Sequence, residues 1–161
     1  MQIENCKLGI VGGIAAFVCA MLLGGAGVAE EDAAYESESV RGRVVWLAEA
    51  MAEKHGVTVV PEAEKRVLAL QTTEGLLLPL VEDVRGRGFR RDERLRKMDV
   101  ELLVRRFDDA PFVQIIRVHE IKDGRKYEID YWCEICAIAM YELKACDCCQ
   151  GPIELRRREV K

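Results

Sequence analysis

Alternation of apolar and polar residues dominates the second half of the chain. From 98 to 104 every second residue is apolar, which is typical of a half-buried strand. Residues 112–121 form a longer, mostly apolar run, and residues 126–132 alternate again, with Tyr127, Ile129 and Tyr131 on one face. The pattern therefore predicts three consecutive strands in this part of the chain.

Turn residues separate these strands and indicate how they pair. The stretch from Lys122 to Arg125 contains Asp123-Gly124, which tolerates the positive φ of a tight hairpin turn. Residues 108–111, which include two aspartates and a proline, are also turn material. We therefore expect the three strands to be antiparallel.

The first half of the β-rich region contains shorter elements. Residues 44–47 predict a strand, and residues 48–56 predict a helix that ends at Gly56. Two apolar runs, 67–72 and 76–81, flank a glycine-containing turn and predict a hairpin. Pro79 places the second of these strands at a sheet edge or bulge.

These elements predict a mainly β (α+β) domain over residues 40–132, a small antiparallel barrel or sandwich with one helix. In strand number and spacing this region resembles an OB-type β-barrel. The resemblance implies a fold whose members often bind oligonucleotides or sugars. A shared fold does not transfer that function.

The N-terminal segment is an exception to the alternating pattern. Residues 8–29 contain no charged side chain and are long enough to cross a bilayer as a helix. They end in Gly27-Val28-Ala29, which has the small residues of a signal-peptidase site. We predict that residues 1–29 are a cleaved signal peptide or a hydrophobic helical membrane anchor; a buried core helix is the alternative, which six glycines disfavour.

Either main interpretation places the rest of the chain outside the cytoplasm, in the periplasm or an equivalent compartment. Residues 30–39 are acidic and polar, and predict a linker between this segment and the β-domain. The net charge of −4 argues against nucleic acid as a partner.

Cysteines carry the strongest chemical signal in the sequence. Of seven cysteines, five lie between residues 133 and 149. Cys133, Cys136, Cys146 and Cys149 form two CxxC pairs nine residues apart, which is the ligand set of a tetrahedral thiolate site. Residues 133–161 are therefore predicted to be a metal-binding knuckle followed by a basic tail.

Residues 133–151 resemble a zinc ribbon or zinc knuckle, and the resemblance implies zinc as the ion. The segment departs from that family in its short spacer and in Cys148, an extra thiol that is an alternative ligand, a ligand for a second ion or a free thiol. Copper or iron in the same cage is a further possibility, since both accept thiolates. Disulfides are another, because an exported domain meets an oxidising environment, but five cysteines leave one unpaired.

Two arginine-rich stretches have competing interpretations. Residues 84–97 hold seven basic residues in fourteen, and we interpret them as a solvated basic loop in preference to an anion-binding loop. The three arginines at 156–158 are interpreted as a solvated chain end.

No catalytic template is present: the sequence lacks GxSxG, HExxH and a P-loop. The sequence therefore predicts a non-catalytic, exported or membrane-anchored module with a structural zinc site and a protein partner in the cell envelope. A zinc or copper carrier that uses Cys146, Cys148 and Cys149 is one alternative. A thiol–disulfide redox protein is the other, although its CxxC motif would normally open a helix beside a βαβ unit.

Overall fold

The computed structural model describes residues 35–160, and the predicted signal peptide or anchor lies outside them. None of the helices within the described range is long and apolar enough to span a membrane. In chain order the elements are β1 (Tyr35–Trp46), α1 (Leu47–His55), a 3₁₀ turn (Pro61–Ala63), β2 (Leu68–Thr72), β3 (Leu77–Pro79), α2 (Val84–Arg91), α3 (Glu93–Arg96), β4 (Val100–Phe107), β5 (Val113–Lys122), β6 (Arg125–Cys133), β7 (Ile138–Met140) and β8 (Glu154–Glu159).

The strands form one sheet in the order β3-β2-β1-β4-β5-β6-β7, and β8 pairs with β6. Every pairing between named strands is antiparallel. The prediction of a mainly β fold is therefore confirmed, as are the three strands β4, β5 and β6. The β5–β6 turn contains Asp123 and Gly124, both at positive φ, as the sequence indicated.

Strand β1 is long because it pairs with two partners. Its first part pairs with β4, from Tyr35 opposite Phe107 to Gly42 opposite Val100. From Gly42 onward it pairs with β2. A Cβ at Gly42 would lie 2.1 Å from the carbonyl oxygen of Gln71, so only glycine allows this close approach.

The start of β1 corrects the predicted linker. Residues 35–39 belong to the strand, although their side chains are mostly exposed and their composition is acidic and polar. The acidic side chains at this end of β1 lie beside the arginines at the end of β4, and the opposite charges stabilise the pairing. Glu38 and Arg106, for example, form an ion pair of 2.6 Å. The linker prediction can therefore hold at most for residues 30–34, which lie outside the described range.

The sheet curls back on itself. Leu80, just after β3, forms a parallel bridge with Val113 at the start of β5, and the Val81 N–H donates to the Val113 carbonyl over 2.9 Å. Strands β2, β1 and β4 lie between these two elements in the sheet order, so the contact requires strong curvature. The enclosed core includes Leu68, Leu102 and Ile115, all essentially without exposure.

The prediction of a single helix is wrong, because residues 84–97 contain two more. Asp83 caps α2 by accepting from the N–H groups of Arg85 and Gly86, both at 3.0 Å. Asp92 caps α3 by accepting from the N–H of Arg94 at 2.9 Å. Phe89 and Leu95 insert into the core, so the arginines occupy the outer side of helices and do not form a loop.

The three C-terminal arginines also differ from their prediction. They lie on β8 and each pairs with a carboxylate: Arg156 with Asp130 at 2.7 Å, Arg157 with Glu120 at 2.5 Å, and Arg158 with Glu128 at 2.9 Å. The Arg156 guanidinium also stacks 3.7 Å from the centre of the Trp132 ring. The pairs with Asp130 and Glu128 hold β8 against β6, the strand that ends at the first clustered cysteine, and the pair with Glu120 reaches β5.

Candidate metal centre

Two turns of the same construction present the paired cysteines. In the first, the N–H of Ala137 donates to the carbonyl of Cys133 over 2.8 Å. In the second, the N–H of Gln150 donates to the carbonyl of Cys146 over 3.0 Å. Both donors lie four residues after the first cysteine of their pair, and both have left-handed φ values, 51° and 59°.

The equivalence of the turns explains how four sulfurs converge. The Sγ atoms of Cys133, Cys136, Cys146 and Cys149 all lie within 4.8 Å of one another. The Sγ atoms of Cys133 and Cys149 are 3.5 Å apart. Tetrahedral zinc with four sulfurs at about 2.3 Å requires sulfur–sulfur separations of about 3.8 Å. The observed separations therefore fit one ion between the four thiols.

The site has a closed side and an open side. Cys133 and Cys146 have no exposed surface and belong to the hydrophobic core. Cys136 and Cys149 are partly exposed, and Cys148 is exposed. No disulfide joins the five cysteines of the described range. The structure thus brings the four predicted ligands together and leaves Cys148 at the open edge.

Backbone groups of the second turn favour a charged sulfur. The N–H groups of Cys149 and Cys148 lower the pKa of Cys146 to about 7. The thiols of Cys148 and Cys149, by contrast, raise the pKa of Cys136 above its usual value. Because metals bind the thiolate, the second turn supplies a ready ligand at the buried side of the site.

Helix α2 fixes the segment that joins the two turns, a link that the sequence did not reveal. The side chain of Glu142 is buried and accepts two hydrogen bonds from the guanidinium of Arg87, at 2.9 and 2.6 Å. Arg91 lies 3.4 Å from the same carboxylate. Arg85 stacks 3.9 Å from the centre of the Tyr141 ring. Three arginines of the basic stretch therefore position the cysteine-bearing segment.

Substitution of Gly88 by alanine tests this link between helix and segment. A Cβ at Gly88 would lie 2.5 Å from the carbonyl oxygen of Tyr141. In an unobstructed helix the change from glycine to alanine stabilises by up to about 1 kcal/mol. Here we expect the opposite sign: the free energy of unfolding should fall by about 1–3 kcal/mol, because the backbone at Tyr141 must move away to make room for the added Cβ. Urea unfolding measures the effect, and a stabilised variant would contradict the close packing.

Comparison with known proteins found no protein-family model, no curated protein and no solved structure that matches this chain. The function is therefore inferred from the geometry of the site.

Proposed function

We propose that this chain is a non-catalytic, exported or membrane-anchored module in which one structural zinc ion fastens the C-terminal segment to the β-domain. The observation that carries the proposal is the convergence of four thiols from two equivalent turns. A site with four protein ligands leaves no position for substrate, which is characteristic of structural zinc. Copper and iron accept thiolates too, but zinc places no demand on the site beyond four ligands in a tetrahedron.

A metal has a clear structural task at this position. Between β6 and β8 the chain runs through about twenty residues in which the only strand is β7, three residues long. Cys133 and Cys146 nevertheless lie inside the core. An ion bound between them would fix the course of this segment and add folding free energy that its few apolar contacts do not provide.

The strand arrangement supports the OB-type interpretation of residues 40–132. One long strand pairs with both β2 and β4, and helices separate β3 from β4. The parallel contact between Leu80 and Val113 brings the third strand against the fifth. These are features of a five-stranded Greek-key barrel, to which β6–β8 and the cysteine turns are added.

Exposed apolar side chains around the cysteines support a role in protein interaction. Ile135, at the tip of the first turn, is 73% exposed, and Tyr141 and Leu143 are also exposed. Where exposed apolar groups form one contiguous patch, they mark a contact site for another protein, and these three lie in the segment that carries the cysteines. The proposed partner is a protein of the cell envelope, in keeping with the apolar N-terminal segment at residues 8–29.

Cobalt substitution tests the four-thiolate site. Titration of the reduced protein with Co²⁺ is expected to saturate at one ion per chain. The product should show the intense thiolate charge-transfer absorption and visible bands of tetrahedral cobalt, and zinc should displace the cobalt. A Cys148→Ser variant serves as the matched control and should give the same spectrum. Weak, octahedral-type absorption without saturation would contradict the proposal.

A further inference from the structure

We propose that the first half of β1 is a docking edge for an extended, basic segment of another protein, which joins the sheet as an additional antiparallel strand. The segment carries an apolar residue opposite Val40 and a lysine or arginine opposite Glu36. This edge shares no residue with the cysteine turns, so the inference does not depend on the proposed zinc ion.

Strand β1 has a neighbouring strand on both sides only in its second half. From Tyr35 to Gly42 it pairs with β4, whereas its pairing with β2 begins at Gly42. Strand β2 ends at Thr72, opposite Gly42, where the chain turns towards β3. Within the described part of the chain, residues 35–40 therefore have a free edge on the β2 side.

The hydrogen bonds of β1 show which backbone groups the free edge presents. The carbonyl of Arg41 points to the β2 side, because it accepts from the N–H of Thr73 over 3.1 Å. In a strand, the N–H and C=O groups of every second residue point to the same side. Ser39 and Ser37 therefore direct an N–H and a C=O each to the free edge, and no strand among residues 35–160 pairs with them there. An incoming antiparallel strand can form hydrogen bonds with both serines.

A cleft of about 360 Å³ lies along the free edge and can hold the side chains of the incoming strand. Its lining includes three apolar side chains, those of Val40, Leu76 and Leu78, beside charged groups. The even-numbered side chains of β1 face the core, since Val44 and Trp46 are buried. A partner residue opposite Val40 lies on that face, where an apolar side chain packs against the lining.

The charges beside the free edge favour a basic partner. Glu38 is already paired with Arg106 over 2.6 Å. Glu36, on the same face of β1, and Glu74, in the lining of the cleft, are exposed, and neither forms an ion pair within residues 35–160. Opposite charges on facing strands stabilise the pairing, so a lysine or arginine opposite Glu36 strengthens binding.

A second copy of this chain fits the edge less well, although free edges often pair with each other. Pairing Ser37 of one copy with Ser39 of the other places the two Glu38 side chains directly opposite. Pairing centred on Ser37 places Glu36 opposite Glu38, and like charges in such positions are destabilising. Pairing centred on Ser39 would need the edge at Gly42, where β2 already lies.

Binding of a synthetic peptide to the full chain tests the proposal. The probe is fluorescein-labelled Thr-Val-Thr-Thr-Thr-Lys-Thr-amide, which runs antiparallel to residues 41–35 with its valine opposite Val40 and its lysine opposite Glu36. We expect saturable binding by fluorescence anisotropy, weakened roughly fivefold when glutamate replaces the lysine.

N-methylation of the peptide tests whether it binds as a strand. A methyl group on the amide of the threonine opposite Ser39 or Ser37 removes a donor to the edge, and should weaken binding roughly tenfold. The same change on the threonine opposite Glu38 is the matched control, because that N–H points away from β1, and should leave binding unchanged.

A change in the protein tests the same hydrogen bonds from the other side. Ser39→Pro removes an N–H that faces the free edge, a position at which strands accept proline. We expect it to keep the wild-type melting temperature and to bind the peptide at least roughly tenfold more weakly. Ser39→Ala keeps the N–H and should bind as the unmodified chain does.

The contrary outcomes are equally specific. Absence of saturable binding at millimolar peptide overturns the proposal, as does equal binding of the peptides methylated at facing and non-facing positions, a result that does not depend on how Ser39→Pro folds. A dimer of the unmodified chain that Ser39→Pro dissociates would assign the edge to a second copy and also overturn it. Metal content is measured separately, so none of these results bears on the zinc site.

Discussion

Replacement of Cys149 by serine is expected to abolish stoichiometric zinc binding and to destabilise the protein strongly. A structural zinc ion supplies roughly 10–16 kcal/mol of apparent binding free energy, and we expect the loss of one of four thiolates to remove at least about 3 kcal/mol of it from folding. The sulfur of Cys149 lies 3.5 Å from that of Cys133, whereas the neighbouring thiol of Cys148 is not among the four mutually close sulfurs and would have to move to replace it. Denaturant unfolding in zinc-buffered solution, together with metal analysis, measures both effects.

Cys148→Ser is the control for this experiment, since it makes the same chemical change one residue earlier. Cys148 is exposed and is not among the four mutually close sulfurs. We expect it to keep one zinc ion per chain and to unfold within about 0.5 kcal/mol of the unmodified protein. If the two variants behave alike, or if Cys148→Ser alone loses zinc, the ligand assignment is wrong.

Replacement of Asp92 by alanine is expected to lower the free energy of unfolding by about 2–4 kcal/mol, because it leaves a buried hydroxyl without its acceptor and removes a helix cap. The buried carboxylate accepts from the Tyr131 hydroxyl at 2.8 Å and from the Arg94 guanidinium at 2.7 Å. It also caps α3. Its removal would leave the hydroxyl of Tyr131, a fully buried side chain, without an acceptor.

Tyr131→Phe separates the hydrogen bond from the other roles of Asp92. This variant removes only the hydroxyl and leaves Asp92 paired with Arg94, so we expect a loss of about 1–1.5 kcal/mol. Thermal and urea unfolding of both variants measure the difference. Equal losses for Asp92→Ala and Tyr131→Phe would mean that the ion pair and the helix cap contribute nothing.

Acid dependence provides a second test of the same carboxylate. Burial alone would raise the pKa of Asp92, but the hydrogen bonds from Arg94 and Tyr131 outweigh it and hold the pKa below its ordinary value. A carboxylate whose pKa is lowered on folding stabilises the folded state. This stabilisation is complete at pH values above the ordinary pKa of aspartate and is lost as the pH falls through the lower pKa of the folded state. Asp92→Asn should therefore flatten the acid limb of the stability profile, and an unchanged limb would contradict the assignment.

Local patterns explain why part of the fold was predictable. Alternation at 98–104 and the Asp123-Gly124 turn lie within single strands or hairpins, and both gave correct elements. The helices α2 and α3 were missed because arginines and glycines obscure their apolar side, which consists mainly of Phe89 and Leu95. The aspartates at their N-caps were the available signal.

Contacts between distant residues account for the other errors. Arg156 and Arg157 pair with carboxylates 26 and 37 residues earlier, so a sequence window around them shows only an arginine run. Likewise, the acidic start of β1 becomes a strand only through its pairing with β4. In the site, the ligand spacing is local and was predictable, whereas the contact of Gly88 with Tyr141 and the ion pair of Glu142 join different elements.

The most direct test of the account is to measure metal content and thiol protection on one sample, purified from its native compartment without chelator or added metal. We predict one zinc ion per chain, with Cys133, Cys136, Cys146 and Cys149 protected from alkylation until the protein is denatured in EDTA. Mass spectrometry of the alkylated peptides assigns each cysteine, and Cys148 should react at once. Absence of metal, with at most one of these five cysteines free to react after denaturation, would show disulfides instead and contradict the zinc site.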